Sequence, residues 1–257
     1  MRFSLEVRQG SIDVMEFGTR LGSVIETAGG EVVGEGGEAP DLVIAVGGDG
    51  TMLAATQKAL RHDVPILGFN LGTLGFLAEA EPDEMETVVE RLLSGDFDVA
   101  ERMTLKAAIG DRIATGVNDV IVEKVDSQRL IHLKVDIDGI PFITYRADGL
   151  IAATATGSTA YSFSAGGPLL SPDLEAVLLT PVAAHSLFDR TLVLPPDTTI
   201  DVTVSRDRPV KVTVDKEDMG HLGEGATVSI TRGERPAKFV DFGRRFAELV
   251  GQKFGLS

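Results

Sequence analysis

Near residue 100 the hydrophobic period of this chain changes, and with it the kind of domain each side can build. Before that point, Asp41-Leu42-Val43-Ile44-Ala45-Val46 is a short, nearly all-apolar run of the kind buried on both faces of a parallel sheet, and Val64-Pro65-Ile66-Leu67-Gly68-Phe69 repeats it. Helical patterns alternate with these runs. Ile12, Met15, Val24 and Ile25 fall at roughly helical spacing before a stop at Gly29-Gly30, and the residues from Thr51 through Leu60 favour helix. Asp83 to Ser94 places Met85, Val88, Val89, Leu92 and Leu93 on one helical face, with Gly95 as the stop. Alternating strands and helices predict an α/β domain over residues 1–98.

Beyond residue 100 the period is two: Ile131, Leu133, Val135 and Ile137 alternate with His132, Lys134, Asp136 and Asp138, and Asp138-Gly139 marks a hairpin turn. Ile200, Val202 and Val204 with Val210, Val212 and Val214 read as another alternating pair around Arg206-Asp207-Arg208-Pro209, and Val228 with Ile230 adds a strand. Residues 99–239 are therefore expected to be mostly β. Phe242, Phe246, Leu249, Val250 and Phe254 return to helical spacing, so residues 240–257 are expected to pack back on the first domain, the phenylalanines as core.

A chain of 257 residues is long enough for two such domains, each with its own core. Its net charge of −15 excludes general affinity for nucleic acid or an anionic membrane, whose phosphates that field repels. Two readings of the acidic excess stay open, a high-salt cytoplasm and plain acidic drift. No apolar run approaches the roughly 20 residues that span a bilayer, so the expected address is the cytoplasm. Zero cysteines exclude thiolate metal sites, and His62, His132, His185 and His221 show no ligand spacing, so the expected metal is Mg²⁺ carried with phosphate.

Gly47-Gly48-Asp49-Gly50-Thr51 stands between a buried strand and a helix, where open α/β sheets bind ligands. Glycines let backbone N–H groups approach phosphate oxygens, and a helix N-terminus favours anions. Among them Asp49 can serve as general base or help organise Mg²⁺; the alternative is a tight turn with Asp49 as helix cap. In the second stretch, Tyr145-Arg146-Ala147-Asp148-Gly149 runs into the small hydroxylated residues Thr154 to Ser164 and then Ala165-Gly166-Gly167-Pro168. Such residues let a ring or ribose lie close to the backbone, though hydroxyls there also serve as loop and helix caps. His185 reads as structural, and Arg244-Arg245 as a solvated helix face. There is no G-x-x-x-x-G-K-[ST] loop and no H-E-x-x-H helix, and Ser162-Phe163-Ser164-Ala165-Gly166 lacks the first glycine of a nucleophile elbow.

Taken together, Gly47-Gly48-Asp49-Gly50-Thr51, Asp148-Gly149, Thr156-Gly157-Ser158-Thr159-Ala160-Tyr161-Ser162 and Ala165-Gly166-Gly167-Pro168 resemble the NAD kinase family. The glycine-Asp motif also occurs in phosphofructokinases and in diacylglycerol and sphingosine kinases, whereas the second motif is nearly private to NAD kinases. Asn70-Leu71-Gly72-Thr73-Leu74-Gly75-Phe76-Leu77, Thr180-Pro181, His185-Ser186-Leu187 and Leu194-Pro195 follow the family order, so the likeness covers most of the chain from residue 41.

The resemblance implies α/β plus β: a Rossmann-like N-terminal α/β domain and a C-terminal β-sandwich domain. It places the site between them, completed by a neighbouring subunit of a homodimer or homotetramer. The implied reaction moves the γ-phosphate of ATP or another donor, with Mg²⁺, onto the 2′-hydroxyl of NAD's adenosine ribose. Asp49 falls on the catalytic aspartate, with Gly47, Gly48, Gly50 and Thr51 at the donor phosphates. The NAD contacts fall on Asn118, Asp119, Asp148, Thr159, Ala160 and Tyr161, with Leu74, Gly75 and Phe76 beside the nicotinamide end and Thr156 and Ser164 as helpers. A lipid or sugar kinase leaves the Asp148 to Tyr161 block unexplained, and intact Asp49 speaks against a dinucleotide sensor without turnover.

Three positions depart from the family pattern. Asn118-Asp119 stands for Asn-Glu, Ala155 for a proline whose loss should loosen its loop, and Asp215-Lys216-Glu217 for Asp-Gly-Gln.

Overall fold

The apolar run at residues 42–46 forms strand β3 (Leu42–Gly47), all six residues of which are buried. The computed structural model describes residues 1–256 except 35, 73, 74, 127 and 207. It divides into two units, Met1–Glu101 with Ala237–Ser257, and Arg102–Pro236.

In the first unit β3 lies parallel to β1 (Arg2–Val7) on one side and β4 (Ile66–Asn70) on the other. With β2 (Glu31–Val32), β5 (Asp98–Arg102) and β18 (Ala237–Asp241) they make a six-stranded sheet of order β2-β1-β3-β4-β18-β5. Helices α1 (Ile12–Thr27), α2 (Asp49–His62) and α3 (Met85–Ser94) join the strands. The core joins Phe3, Leu42, Ile44 and Val46 to Leu21 and Ile25 of α1 and to Met85, Val88, Val89 and Leu92 of α3. Each such side chain contributes roughly 1.5–3 kcal/mol by leaving water.

Helix α1 forms where the spacing of Ile12 to Ile25 predicts it, while readings near the C-terminus change. The inward face of α1 is Val14, Gly18, Leu21 and Ile25, while Ile12 and Met15 are exposed. Gly18 lets this face approach the sheet, since a Cβ there would stand 2.8 Å from Val7 Cγ2. The C-terminal helix α5 (Phe246–Phe254) buries none of its residues, and Phe254 is 41% exposed, so Phe246 and Phe254 are not core, whereas Phe242, ahead of the helix, packs against the core of this unit. The aromatic spacing reflects contact with one ring instead, since Phe246 and Phe254 both lie against Phe76, centroids 6.3 and 6.4 Å away. Nor is Arg244 a solvated cation: it lies within 3.4 to 3.8 Å of Glu79, Glu81 and Glu84.

The second unit is built of antiparallel strands in two sheets. One, of order β10-β9-β14-β17-β6-β7, contains β6 (Leu105–Ile109), β7 (Arg112–Gly116), β9 (Ile131–Ile137), β10 (Ile140–Ala147), β14 (Ile200–Val204) and β17 (Thr227–Arg232). The other, of order β13-β12-β11-β8-β15-β16, contains β8 (Asp119–Lys124), β11 (Gly149–Thr154), β12 (Val177–Val182), β13 (Leu192–Leu194), β15 (Val210–Val214) and β16 (Glu217–Leu222). Their apolar residues share one core, in which Leu133, Val135 and Val202 meet Val120, Val122, Val212 and Val214. This is a β-sandwich. The turn at Asp138-Gly139 has φ of 52° and 75°, as a two-residue hairpin requires.

β14 and β15 are not a hairpin. β14 pairs with β9 and β17, and β15 with β8 and β16, so the chain crosses between sheets over residues 205–209. Alternation cannot separate the two arrangements, because both point every second valine into the same core.

Candidate active site

The first part of the site begins where β3 stops. Gly47, at φ 152°, turns the chain, and a Cβ there would stand 2.5 Å from Thr51 Oγ1. Gly48 is the N-cap of α2 and has open space where a side chain would be. No side chain caps the first turn of α2; Thr51 and Met52 donate back to the Gly48 carbonyl at 2.8 and 3.2 Å. The alternative reading of Asp49 as the helix cap is not met, since Gly48 holds that position. Instead Asp49 Oδ1 is buried without a hydrogen-bond partner, and a Cβ on Gly75 would overlap it. Gly47, Gly48, Asp49, Gly50, Thr51 and Gly75 thus gather at the carboxyl end of the sheet.

Phe76 faces α5, and Lys253 Nζ lies 5.8 Å from its ring centroid. Leu74 lies outside the described residues. Asn70, which opens a family-order block but carries no site role in the sequence reading, ends β4 opposite Gly47 and has its own buried Oδ1 without a partner. Its signal was present: a polar residue closing the apolar run Ile66 to Phe69.

In the second unit Asn118 sits in the turn entering β8. The carboxylate of Asp215 accepts the N–H groups of Val117, Asn118 and Asp119 at 2.7, 2.8 and 3.1 Å. Thr154 locks the other side: its N–H donates to the Asn118 carbonyl at 2.9 Å, its hydroxyl to the Val117 carbonyl at 2.5 Å, and it accepts the Gly157 N–H at 3.0 Å. Gly157 must be glycine, since a Cβ would overlap the Asn118 carbonyl oxygen. With its backbone so held, the Asn118 side chain still leaves Oδ1 buried and unpartnered.

Asp119 and Asp215 are both buried, and burial followed by the charge of Asp215 pushes the Asp119 carboxyl up to about 7. Burial raises Asp215 as well, but its three N–H bonds oppose that, so the pair's charge resides on Asp215 and its proton on Asp119. Lys216 takes φ 139° in the turn from β15 to β16.

Thr156 is buried, and Thr159 closes this 3-10 turn with a bond from its hydroxyl to the Thr156 carbonyl at 3.1 Å. Ala160 leads into a single helical turn, α4 (Tyr161–Ser164), on which Tyr161 is 38% exposed. Burial, then Glu123 and Asp148, hold the Tyr161 hydroxyl above its ordinary value. Asp148 itself, paired with Lys124 at 2.6 Å, sits at the opposite end of β11 from Thr156. A six-residue strand spans roughly 20 Å, so the chain does not bring those two together. Ala155, fully buried, has φ −60° and ψ −38°, within proline's range, so the backbone has not departed with the side chain.

Chemically, the glycine loop offers an uncapped helix N-terminus beside a carboxylate, and the second unit offers a fixed amide and an aromatic face. The first suits a phosphoryl donor and the second a nucleotide. The chain belongs to the NAD kinase family: the ATP-NAD kinase N-terminal domain matches residues 27–97 and the C-terminal domain residues 117–242. An NAD kinase of Methanospirillum hungatei is 35% identical, with 96% of each chain covered, and one of Thermococcus sibiricus is 42% identical over 84% of this chain and 77% of its own. Among solved structures, yeast NADH kinase complexed with NADH aligns at TM-score 0.86 and 25% identity, covering all of this chain and 88% of that one. The Archaeoglobus fulgidus NAD kinase in complex with ATP aligns at 0.82 and 26%, covering all of both.

Proposed function

We propose that the chain phosphorylates the 2′-hydroxyl of NAD's adenosine ribose, with Asp49 taking the proton as the oxygen attacks the γ-phosphorus and its bond to the bridging oxygen breaks. The observation that carries this is the buried, unpartnered Oδ1 of Asp49 among glycines at an uncapped helix N-terminus. A ribose hydroxyl is a weak nucleophile until its proton has an acceptor, and Asp49 supplies one. The backbone of Gly47, Gly48, Gly50 and Thr51 holds the donor phosphates, and Asn118 Oδ1 takes a donor group from the adenosine half, against which Tyr161 lays its ring. Gly75, Phe76, Asp119, Thr156, Thr159, Ala160 and Ser164 line the NAD contacts. Asp148, at the far end of β11, serves a neighbouring subunit's site.

Mg²⁺ fits this reading as a companion of the donor, because it commonly takes one or two carboxylates plus substrate phosphates. Asp49 is such a carboxylate. Among the described residues no group of three or more His, Asp or Glu forms a cation cage of its own. When bound, Mg²⁺ supplies charge neutralisation on the phosphate oxygens. The reading includes a cytoplasmic address and a homodimer or homotetramer; exposed Ile140, Phe142 and Leu187 support self-association.

Asp49→Asn tests it, because the amide keeps the shape and the capping capacity but cannot accept the proton. NADP formation should fall roughly 10² to 10⁴-fold in kcat with little change in NAD affinity by calorimetry. Activity within a few-fold of wild type, at an unchanged melting temperature, would remove Asp49 from the mechanism.

A further inference from the structure

The crossing between sheets at residues 205–209 builds a feature that the kinase reading does not use. Together with β9 and β10 it encloses an open cleft of about 730 Å³ lined by Arg129, His132, Thr144, Arg146, Arg206 and Arg208, with Gln128 and Leu130. Four arginines converge here on a chain whose net charge is −15, and no carboxylate is among the described lining residues. Like charges gathered with no described carboxylate among them repel one another, and an anion seated between them relieves that repulsion.

The cleft is held in place. Ser205 donates both its N–H and its hydroxyl to the His132 carbonyl, at 3.0 and 3.1 Å. Arg208 donates its N–H to the Arg206 carbonyl at 2.8 Å and its guanidinium to the Leu130 carbonyl. Arg129, Arg146 and Arg206, by contrast, form no side-chain hydrogen bond or ion pair among the described residues. A second, independent mark is His132 Nδ1, buried without a partner beside the cleft. Burial, followed by Arg206, Arg146 and Arg208, keeps that imidazole below its ordinary value and hence neutral, with one donor and one acceptor to offer.

We propose that this cleft is a binding site for an anion of two or more linked phosphoryl groups. Planar guanidinium forks match phosphate oxygens in bidentate fashion. Four of them exceed what one phosphate needs, and the volume is larger than one phosphate fills. The shared chemistry fits two sources, an inorganic polyphosphate and the phosphate tail of a nucleotide. The site is separate from the glycine loop and does not depend on Asp49 chemistry.

Calorimetric titration of the full chain with sodium tripolyphosphate, at low ionic strength without divalent cation, tests this on wild type and on Arg129→Gln/Arg206→Gln. Neither side chain bonds to another described residue, so the fold should survive, checked by a melting curve. The double variant should lose a tripolyphosphate site, or bind there at least about tenfold more weakly, as expected for two lost charge-assisted contacts. Competition by ATP for the lost site would identify a nucleotide tail as the source, and no competition an inorganic chain; both support the proposal. Unchanged tripolyphosphate binding in the variant would overturn it. So would equal competition by sulfate, which marks mere anion exchange, or a drop in oligomer mass with phosphate affinity intact, which makes the cleft a contact for the acidic surface of a second copy. None of these readouts involves NADP formation.

Discussion

The glycine loop after β3 and the Val117–Asp119 turn before β8 each hold one buried, unpartnered side-chain oxygen, on Asp49 and on Asn118, yet they treat their backbones in opposite ways. In the loop the first turn of α2 has no side-chain cap. In the turn three successive N–H groups already end on the Asp215 carboxylate. A concavity of backbone N–H groups is an anion site in either case. One is open to a ligand's phosphate and the other is filled by the protein's own carboxylate. The turn can therefore only present a side chain, while the loop can grip phosphate with its main chain.

Removing the internal anion strikes this contrast hardest. Asp215→Ala leaves three N–H groups facing a buried space, and losing a buried, hydrogen-bonded charge costs roughly 3–5 kcal/mol. Denaturant unfolding should show that loss, and the KM for NAD should rise as Asn118 loses its support. Asp215→Asn, which keeps one acceptor oxygen, should recover part of both. A stable Asp215→Ala protein with normal NAD kinetics would mean the turn holds itself.

Asn118→Ala sharpens the same point from the other side. Only the backbone of Asn118 serves the turn, so truncation should leave the melting temperature unchanged while NAD affinity falls by roughly 1–3 kcal/mol, the value of a buried polar contact. Destabilisation with unaltered NAD binding would exchange the assigned roles of Asp215 and Asn118.

How much of this was visible beforehand depends on the distance over which each feature is decided. The buried strand at 42–46 and the helical face at Met85, Val88, Val89 and Leu92 are decided by neighbours in sequence, and hydrophobic period displays them. β18 is not so displayed, because it becomes a strand by pairing Phe239 with Ile66. The sheet crossing escaped because its alternation is shared by two topologies. At the site, motif chemistry drew attention to Asp49, and the family resemblance to Asn118 and to the segment Asp215-Lys216-Glu217, but what Asp215 does stayed hidden because it acts 98 residues from Val117. Sequence order shows only an acid opening a hairpin turn.

Asp119 offers a subtler test, through pH. Its carboxyl is raised from the ordinary value of about 4 to about 7. Between those two values the folded chain holds a proton that the unfolded chain has released. Unfolding then releases protons, so this residue's contribution is complete below pH 4 and declines as pH rises toward 7. Asp119→Asn cannot titrate, and its stability relative to wild type should grow across that window, reaching roughly 3–4 kcal/mol above pH 7. Urea midpoints at pH 4.5, 6 and 8 would show it. A constant difference at all three would mean that Asp119 is already ionised in the fold.

The smallest expected effect concerns the 154–160 turn, which braces Asn118 from the other side. A loss of rigidity is the consequence expected for alanine in place of proline at residue 155, yet Ala155 already has φ −60°. Its N–H makes no hydrogen bond among the described residues. The preceding residue, Thr154, ends a β-strand, the conformation that a following proline demands. The native state thus already meets each requirement of the ring, and what the alanine changes is the unfolded chain, which has more conformations to lose. Ala155→Pro should therefore stabilise by about 0.4–1 kcal/mol. Because Ala155 is fully buried, the added ring atoms also need room, so Ala155→Val is the control: it adds comparable bulk without fixing φ. A gain for proline and a loss for valine would locate the effect in the unfolded chain. Losses for both would show that packing around the turn decides it, and would break the parallel between the two sides of Asn118.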